Sequence, residues 1–294
     1  MHEQSPSFAK PQQALLPTVS RRTVLQAVFM GAAAASAPRW LAGSAHAQAA
    51  GIHLPTGPLA NIGPLEKKSV GGFTIPGIDE EVYAPAGFDV RVVARAGLDP
   101  LINEASLSGY NWHIFPDGGA VFPSESDGGW VYVSNSELPS GFGGVGALRF
   151  DADGNLVDAY AIQTGTTTNC SGGATPWGTW INGEEIRDGY MFECSPLRDG
   201  GEAVRLDRFG RKAHEMVAVD EDGRAIYHTE DVTGDDRFYR TVFSESAWPI
   251  GGRPDMDQGI LQVLQVPAGL EAARAGPTPY NWLNAVDDGT PQPD

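Results

Sequence analysis

Short runs in which apolar and polar residues alternate dominate this chain, and that period of two predicts strands rather than helices. Phe88–Ala94 alternates for most of its length and reads as the first clear strand. Trp130–Asn135, Val145–Phe150 and Leu156–Ile162 follow, the last two joined through Asp151-Ala152-Asp153-Gly154-Asn155 as a hairpin. Gly189–Cys194, Ala203–Leu206, Met216–Val219, Ala225–His228, Arg237–Val242 and Ile260–Val266 repeat the pattern, with Asp220-Glu221-Asp222-Gly223 as a further turn. Tyr110–Phe115 leads into Pro116-Asp117-Gly118-Gly119, a strong turn signal. Strands about ten residues apart, with no convincing amphipathic helix between them, predict an all-β sandwich, barrel or propeller. Asn135-Ser136-Glu137, Glu184-Glu185, His214-Glu215 and Thr229-Glu230-Asp231 recur at roughly blade spacing, which favours a β-propeller whose loops aim at one central channel.

Composition sharpens that picture. Among 294 residues there are 37 Gly and 22 Pro, which suits many turns and few long helices. The net charge is −17, and without residues 1–47 it falls to −20, because that segment carries Lys10, Arg21, Arg22 and Arg39 against Glu3. Nucleic acid is therefore excluded as a partner, since its phosphates would be repelled. Bound divalent cations would relieve the charge.

Residues 1–47 read as a twin-arginine export signal. Ser20-Arg21-Arg22-Thr23-Val24-Leu25-Gln26 opens an apolar run from Val24 to Ala37, and Ala45-His46-Ala47 offers a small-residue cleavage site. The run is too short and too rich in Ala and Gly for a stable membrane span. The expected partner is the twin-arginine translocation machinery, and the expected location is the bacterial periplasm or beyond. Residues 48–82 form an expected extended arm, surface-hugging or loose, 83–284 a partial propeller and 285–294 a polar tail.

Asn169–Glu185, NCSGGATPWGTWINGEE, concentrates the candidate chemistry. Gly172, Gly173 and Pro176 set a tight turn, and Trp180-Ile181 reads as a strand that delivers Glu184 and Glu185 to its tip. Cys170 and the two glutamates can then face one cavity, a mixture of soft sulfur and hard oxygen that suits a transition metal with calcium nearby. Two alternatives stay open: Cys170 buried or paired with Cys194, 24 residues on, and the glutamates as a solvated loop tip.

GWVYVSNSE (Gly129–Glu137), NCSGGATPWGTWINGEE, His214-Glu215 and YHTEDVTGDDRFYR (Tyr227–Arg240) succeed one another in an order that resembles the PhoX-type alkaline phosphatase family, from about Pro85 to Trp282. That resemblance implies a six-bladed β-propeller with calcium and iron in its channel, acting on a small phosphomonoester. By the same resemblance Cys170 and Glu215 fall on iron ligands. Glu184, Glu185, Asn135, Glu137, Glu230 and Asp231 line the channel as candidates for calcium or its surroundings, with His214 and Thr179 as supports. His214 is expected to orient Glu215, whereas His113 and Asp117, in a turn-rich loop, are expected to be structural. No side chain is expected as nucleophile; the attacking oxygen comes from the metals.

Three departures modify the expectation. Gly183 stands where the family usually has cysteine, and Ser136 where histidine is common. No Arg-x-Glu-Gly element, which in the family supplies another iron ligand and a phosphate-facing arginine, follows Leu261. The chain is therefore expected to be C-terminally incomplete, with four to five blades, and to be poorly soluble or oligomeric alone. A non-catalytic, calcium-stabilised propeller is a second reading. A calcium-only propeller hydrolase of lactones or sugar esters, with no use for Cys170, is a third.

Overall fold

A computed structural model describes residues 65–72, 81–103, 105–234, 236–269 and 278–286, all within the larger of two compact units, Leu65–Asp294. The expected export signal and most of the expected arm and tail lie outside the described residues.

The first strands form a small sheet ordered β2-β1-β3, from β1 (Leu65–Gly72), β2 (Glu81–Pro85) and β3 (Val90–Val92). β1 and the start of β2 fall within the expected arm and give its described part strand structure. β1 is exposed along almost its whole length, so no buried face imposed an apolar alternation on its sequence. A two-stranded ribbon follows, β4 (Leu101–Ile102) and β5 (Ser106–Leu107).

Three larger sheets come next, each an antiparallel meander in chain order. The first contains β6 (Pro116–Pro123), β7 (Trp130–Ser136), β8 (Gly143–Phe150) and β9 (Leu156–Thr166). The second contains β10 (Asn169–Ala174), β11 (Trp180–Glu184), β12 (Met191–Cys194) and β13 (Val204–Arg205). The third contains β14 (His214–Asp220), β15 (Ala225–Glu230), β16 (Phe238–Val242), β17 (Ile260–Gln265) and β18 (Asn281–Asn284). Two 3-10 turns, η1 (Asp207–Phe209) and η2 (Met256–Gln258), complete the described elements. Sheets of this kind, stacked face to face, are blades of a β-propeller.

Period-two alternation decides which blade each side chain meets. Phe122, Val131, Val133, Val145 and Tyr160 of the first blade pack against Trp180 and Cys194 of the second. One residue further along β11, Ile181 points the other way and joins Met191, Val217, Ile226, Phe209 and Trp248 between the second and third blades. Ile181 is fully buried, and truncating it to alanine would cost about 3 kcal/mol. β10 lies against both β6 and β14, so the first strands of the three blades run side by side along the hub. The face of the third blade turned away from the second carries Tyr227, Phe238 and Trp282, with Arg240 4.3 Å over the Trp282 ring.

Pro116-Asp117-Gly118-Gly119 is strand, not turn, a correction taken up below. Phe88–Ala94 shrinks to Val90–Val92, and β18 adds a pairing beyond the last strand legible in the sequence. Among the described residues no helix is long and apolar enough to cross a membrane.

Candidate functional site

Each blade's first strand is bulged at the same place. β6 pairs Pro116 with Ser136 and resumes at Gly119 with Ser134, leaving Asp117 and Gly118 opposite the single residue Asn135. β10 pairs Asn169 with Glu184 and resumes at Gly172 with Asn182, leaving Cys170 and Ser171 opposite Gly183. β14 pairs His214 with Glu230 and resumes at Val217 with His228, leaving Glu215 and Met216 opposite Thr229. Two residues against one break the alternation and re-aim the first of them. So Asp117, Cys170 and Glu215 occupy one equivalent position in three adjacent strands.

A second row repeats beside the first. Just past the end of each blade's second strand, Glu137, Glu185 and Asp231 donate their amides to Phe115, Thr168 and Ala213 at 2.9, 2.8 and 3.1 Å. Each acceptor lies two residues before the bulge residue of its own blade. The hub thus presents three pairs: Asp117 with Glu137, Cys170 with Glu185, Glu215 with Asp231. Sequence reasoning had set Asp117 aside as structural, because an Asp-Gly-Gly run looks the same in a bulge as in a turn.

The electrostatics of these groups are mutually unfavourable. Burial pushes the Cys170 thiol well above its ordinary range, and Asp117, Glu185 and Glu215 push it further; the thiol also hydrogen-bonds to Glu185. Burial likewise raises Glu185 despite that bond, with Glu137, Asp231 and Glu215 adding to it. Glu215 is raised by burial and then by Asp231 and Asp117, against a weak bond from the Thr229 hydroxyl at 3.5 Å. Glu137 is raised by burial and by Asp117. These acids shift one another upward, as carboxylates do where like charges gather.

Other sequence-derived candidates are engaged elsewhere. Glu184 is buried, and its two oxygens accept from the Thr167 amide at 2.8 Å and the Tyr190 amide at 3.1 Å. Glu230 accepts from the Tyr239 hydroxyl at 2.9 Å. Asn135 is wholly buried and bonds to Cys170, Ser171 and Trp180. Thr179 is a correction: it lies in the turn at the opposite end of the β10–β11 hairpin and donates to Glu193 at 2.6 Å. His214 is a second correction, since strand alternation turns it away from Glu215. It is wholly buried, bonds through Nε2 to the Gly210 carbonyl at 3.1 Å and lies 5.9 Å from the His228 ring. Gly183 makes room for it: a Cβ there would lie 2.3 Å from the Cβ of His214. Cys170 and Cys194 are both free thiols, so the disulfide alternative falls. Thr229 was not among the sequence-derived candidates; its hydroxyl also receives the Met216 amide at 3.0 Å and so ties Glu215's bulge to β15.

Carboxylates suit calcium and a thiolate beside a carboxylate suits iron, so the donors fit such ions in kind. Among the described residues no three donors yet stand close enough together to hold an ion.

Fold and site define a class, that of bladed β proteins with an acidic, thiol-bearing hub. A family profile described as alkaline phosphatase PhoX matches residues 142–189 and 186–288, together half of the chain. The chain belongs to that family. The match includes Cys170, Glu185, Glu215 and Asp231. Among solved structures, Pseudomonas fluorescens PhoX in complex with vanadate, a transition state analogue, is similar at 16% identity and a TM-score of 0.41, over 52% of this chain. The chain spans 46% of the length of that protein. No curated protein matches.

Proposed function

We propose that this chain carries the hub of a metal-dependent phosphomonoesterase, exported by the twin-arginine route to the periplasm or beyond. The observation that supports this is the repeated bulge together with the neighbouring strand ends, which sets a thiol and five carboxylates on adjoining positions along the hub, where acids raise one another. Cys170 and Glu215 are the donors for iron; Asp117, Glu137, Glu185 and Asp231 are those for calcium. Bound there, the ions would supply Lewis-acid neutralisation of the phosphoryl oxygens and an activated water.

The chain's own residues do the rest. Cys170 loses its thiol proton, and Glu185, already its hydrogen-bond partner, is the first acceptor on the way out. Thr229 lends the Glu215 carboxylate a weak hydroxyl contact at 3.5 Å. Glu184 and Glu230 brace the strand ends from which Glu185 and Asp231 project. In the reaction a water oxygen bonds to phosphorus, the ester P–O bond breaks, and the alcohol leaves with a proton.

Metal analysis and turnover of a chromogenic phosphomonoester at alkaline pH test the proposal together. The expected result is bound iron and calcium, a sulfur-to-iron charge-transfer band, and activity abolished by calcium chelation and by Cys170→Ser. Turnover that survives both treatments overturns it. Calcium without iron or turnover would assign a non-catalytic binding module instead.

A further inference from the structure

We infer that Asn135 is a positioning residue for Cys170, fixing the cysteine backbone at the hub instead of offering an oxygen to a cation; this rests on the reading of Cys170 as a metal ligand. The bulge removes Cys170 and Ser171 from the β10–β11 ladder. Their carbonyls therefore need donors from outside their own sheet. Asn135, on β7 of the preceding blade, supplies both: its Nδ2 lies 2.9 Å from the Cys170 oxygen and 2.9 Å from that of Ser171. Trp180 Nε1 donates to Asn135 Oδ1 at 2.9 Å.

Each of these partners has a single role. Carbonyls only accept and an indole N–H only donates, so the carboxamide fits one way round. Its oxygen is committed to Trp180, and both side chains are buried, at 0% and 2% exposure. One of that oxygen's two lone pairs is taken by the indole N–H, and the wholly buried side chain presents no exposed oxygen surface to a cation in the hub.

The constraint continues along the hub. A Cβ at Gly118 would lie 2.6 Å from the Ser171 Cα, so the absence of a side chain there lets the first two bulges touch. The Ser171 hydroxyl donates to Met216 Sδ at 2.7 Å, in the bulge that carries Glu215. Asn135 thus holds one end of a chain of contacts that spaces Cys170 from Glu215.

The test uses the full chain in a Cys194→Ala background, so that only Cys170 reports. In metal-free protein the rate of Cys170 modification by an aromatic disulfide reagent is measured for the parent, Asn135→Leu and Trp180→Phe, alongside the melting transition. The iron charge-transfer band is recorded after reloading. Loss of two buried hydrogen bonds should speed modification about tenfold in Asn135→Leu, with a shifted band on reloading. Trp180→Phe keeps the carboxamide but frees its oxygen, so a smaller acceleration is expected; it carries the test if the leucine variant does not fold. Unchanged metal-free reactivity with weakened calcium binding would overturn the inference and make Asn135 a ligand. Faster modification in the variants, with no charge-transfer band even in the parent, would leave the positioning role standing and remove iron from Cys170.

Discussion

The two ends of the β10–β11 hairpin treat their carboxylates in opposite ways. At the turn end Glu193, 5% exposed, accepts from Arg253 through Nε and Nη2, from Thr179 at 2.6 Å and from Trp177 at 2.7 Å. Burial works against its charge, yet the bonds from Arg253, Thr179 and Trp177 win and hold it below the usual carboxylate range. At the hub end Glu185 meets a thiol and other acids, and it is raised. A buried acid with a cation and donors is held in its charged form; a half-buried acid among its own kind is held toward its neutral form. Glu184 and Glu185 show the same divide between neighbours in the chain, one spent on amides and the other left to the hub.

If that contrast is right, substitutions at the two ends should separate function from stability. The largest effect is expected from Glu185→Gln with Glu215→Gln: phosphomonoesterase activity should fall by about 100-fold or more, while the metal-free melting temperature holds or rises. Asp117→Asn should weaken calcium binding about tenfold by titration. A melting temperature that falls in either metal-free variant would break the comparison, because it would mean the hub acids are already satisfied. At the other end Arg253→Ala leaves Glu193 buried and uncompensated. It should cost about 3 kcal/mol in a denaturant titration, discounted for the partial exposure of the arginine. Glu184→Gln, which only weakens bonds to two amides, should cost about 1 kcal/mol and leave calcium affinity as it was.

The pH dependence is the gentlest probe. For Glu137, Glu185 and Glu215 the folded state favours protonation, so their contribution to stability is present below the ordinary value of 4.5 and lost as pH rises through their raised values. Burial lowers His113 to about 4, so its contribution is present above 6.5 and lost as pH falls toward 4. Calcium should offset the loss due to the acids and leave that due to His113. The gap in melting temperature with and without calcium should therefore widen from pH 5 to pH 8; a gap that narrows would show that the hub acids do not bind the ion.

Much of the fold was legible because inter-blade packing imposes alternation: Trp180 and Ile181 must face opposite neighbours, and the sequence reads accordingly. β1 escaped because it is exposed, and β6 because its bulge borrows the residues of a turn. The site was half legible for a related reason. Cys170, Glu185, Glu215 and Asp231 sit in motifs dense enough to notice, and they fall at the bulges and strand ends of the second and third blades. Asp117 was lost in Pro-Asp-Gly-Gly. Thr179 and His214 were misjudged because nearness in sequence does not say which end of a hairpin, or which face of a strand, a side chain occupies.

The three bulges also make the hub modular. Positions 117, 170 and 215 share one two-against-one register, so a single ladder pattern carries a carboxylate, a thiol and a carboxylate in turn. Moving the sulfur to position 215 would keep that register but forgo the amide that Asn135 lends to Cys170, because Gly183 stands at the matching place in the second blade.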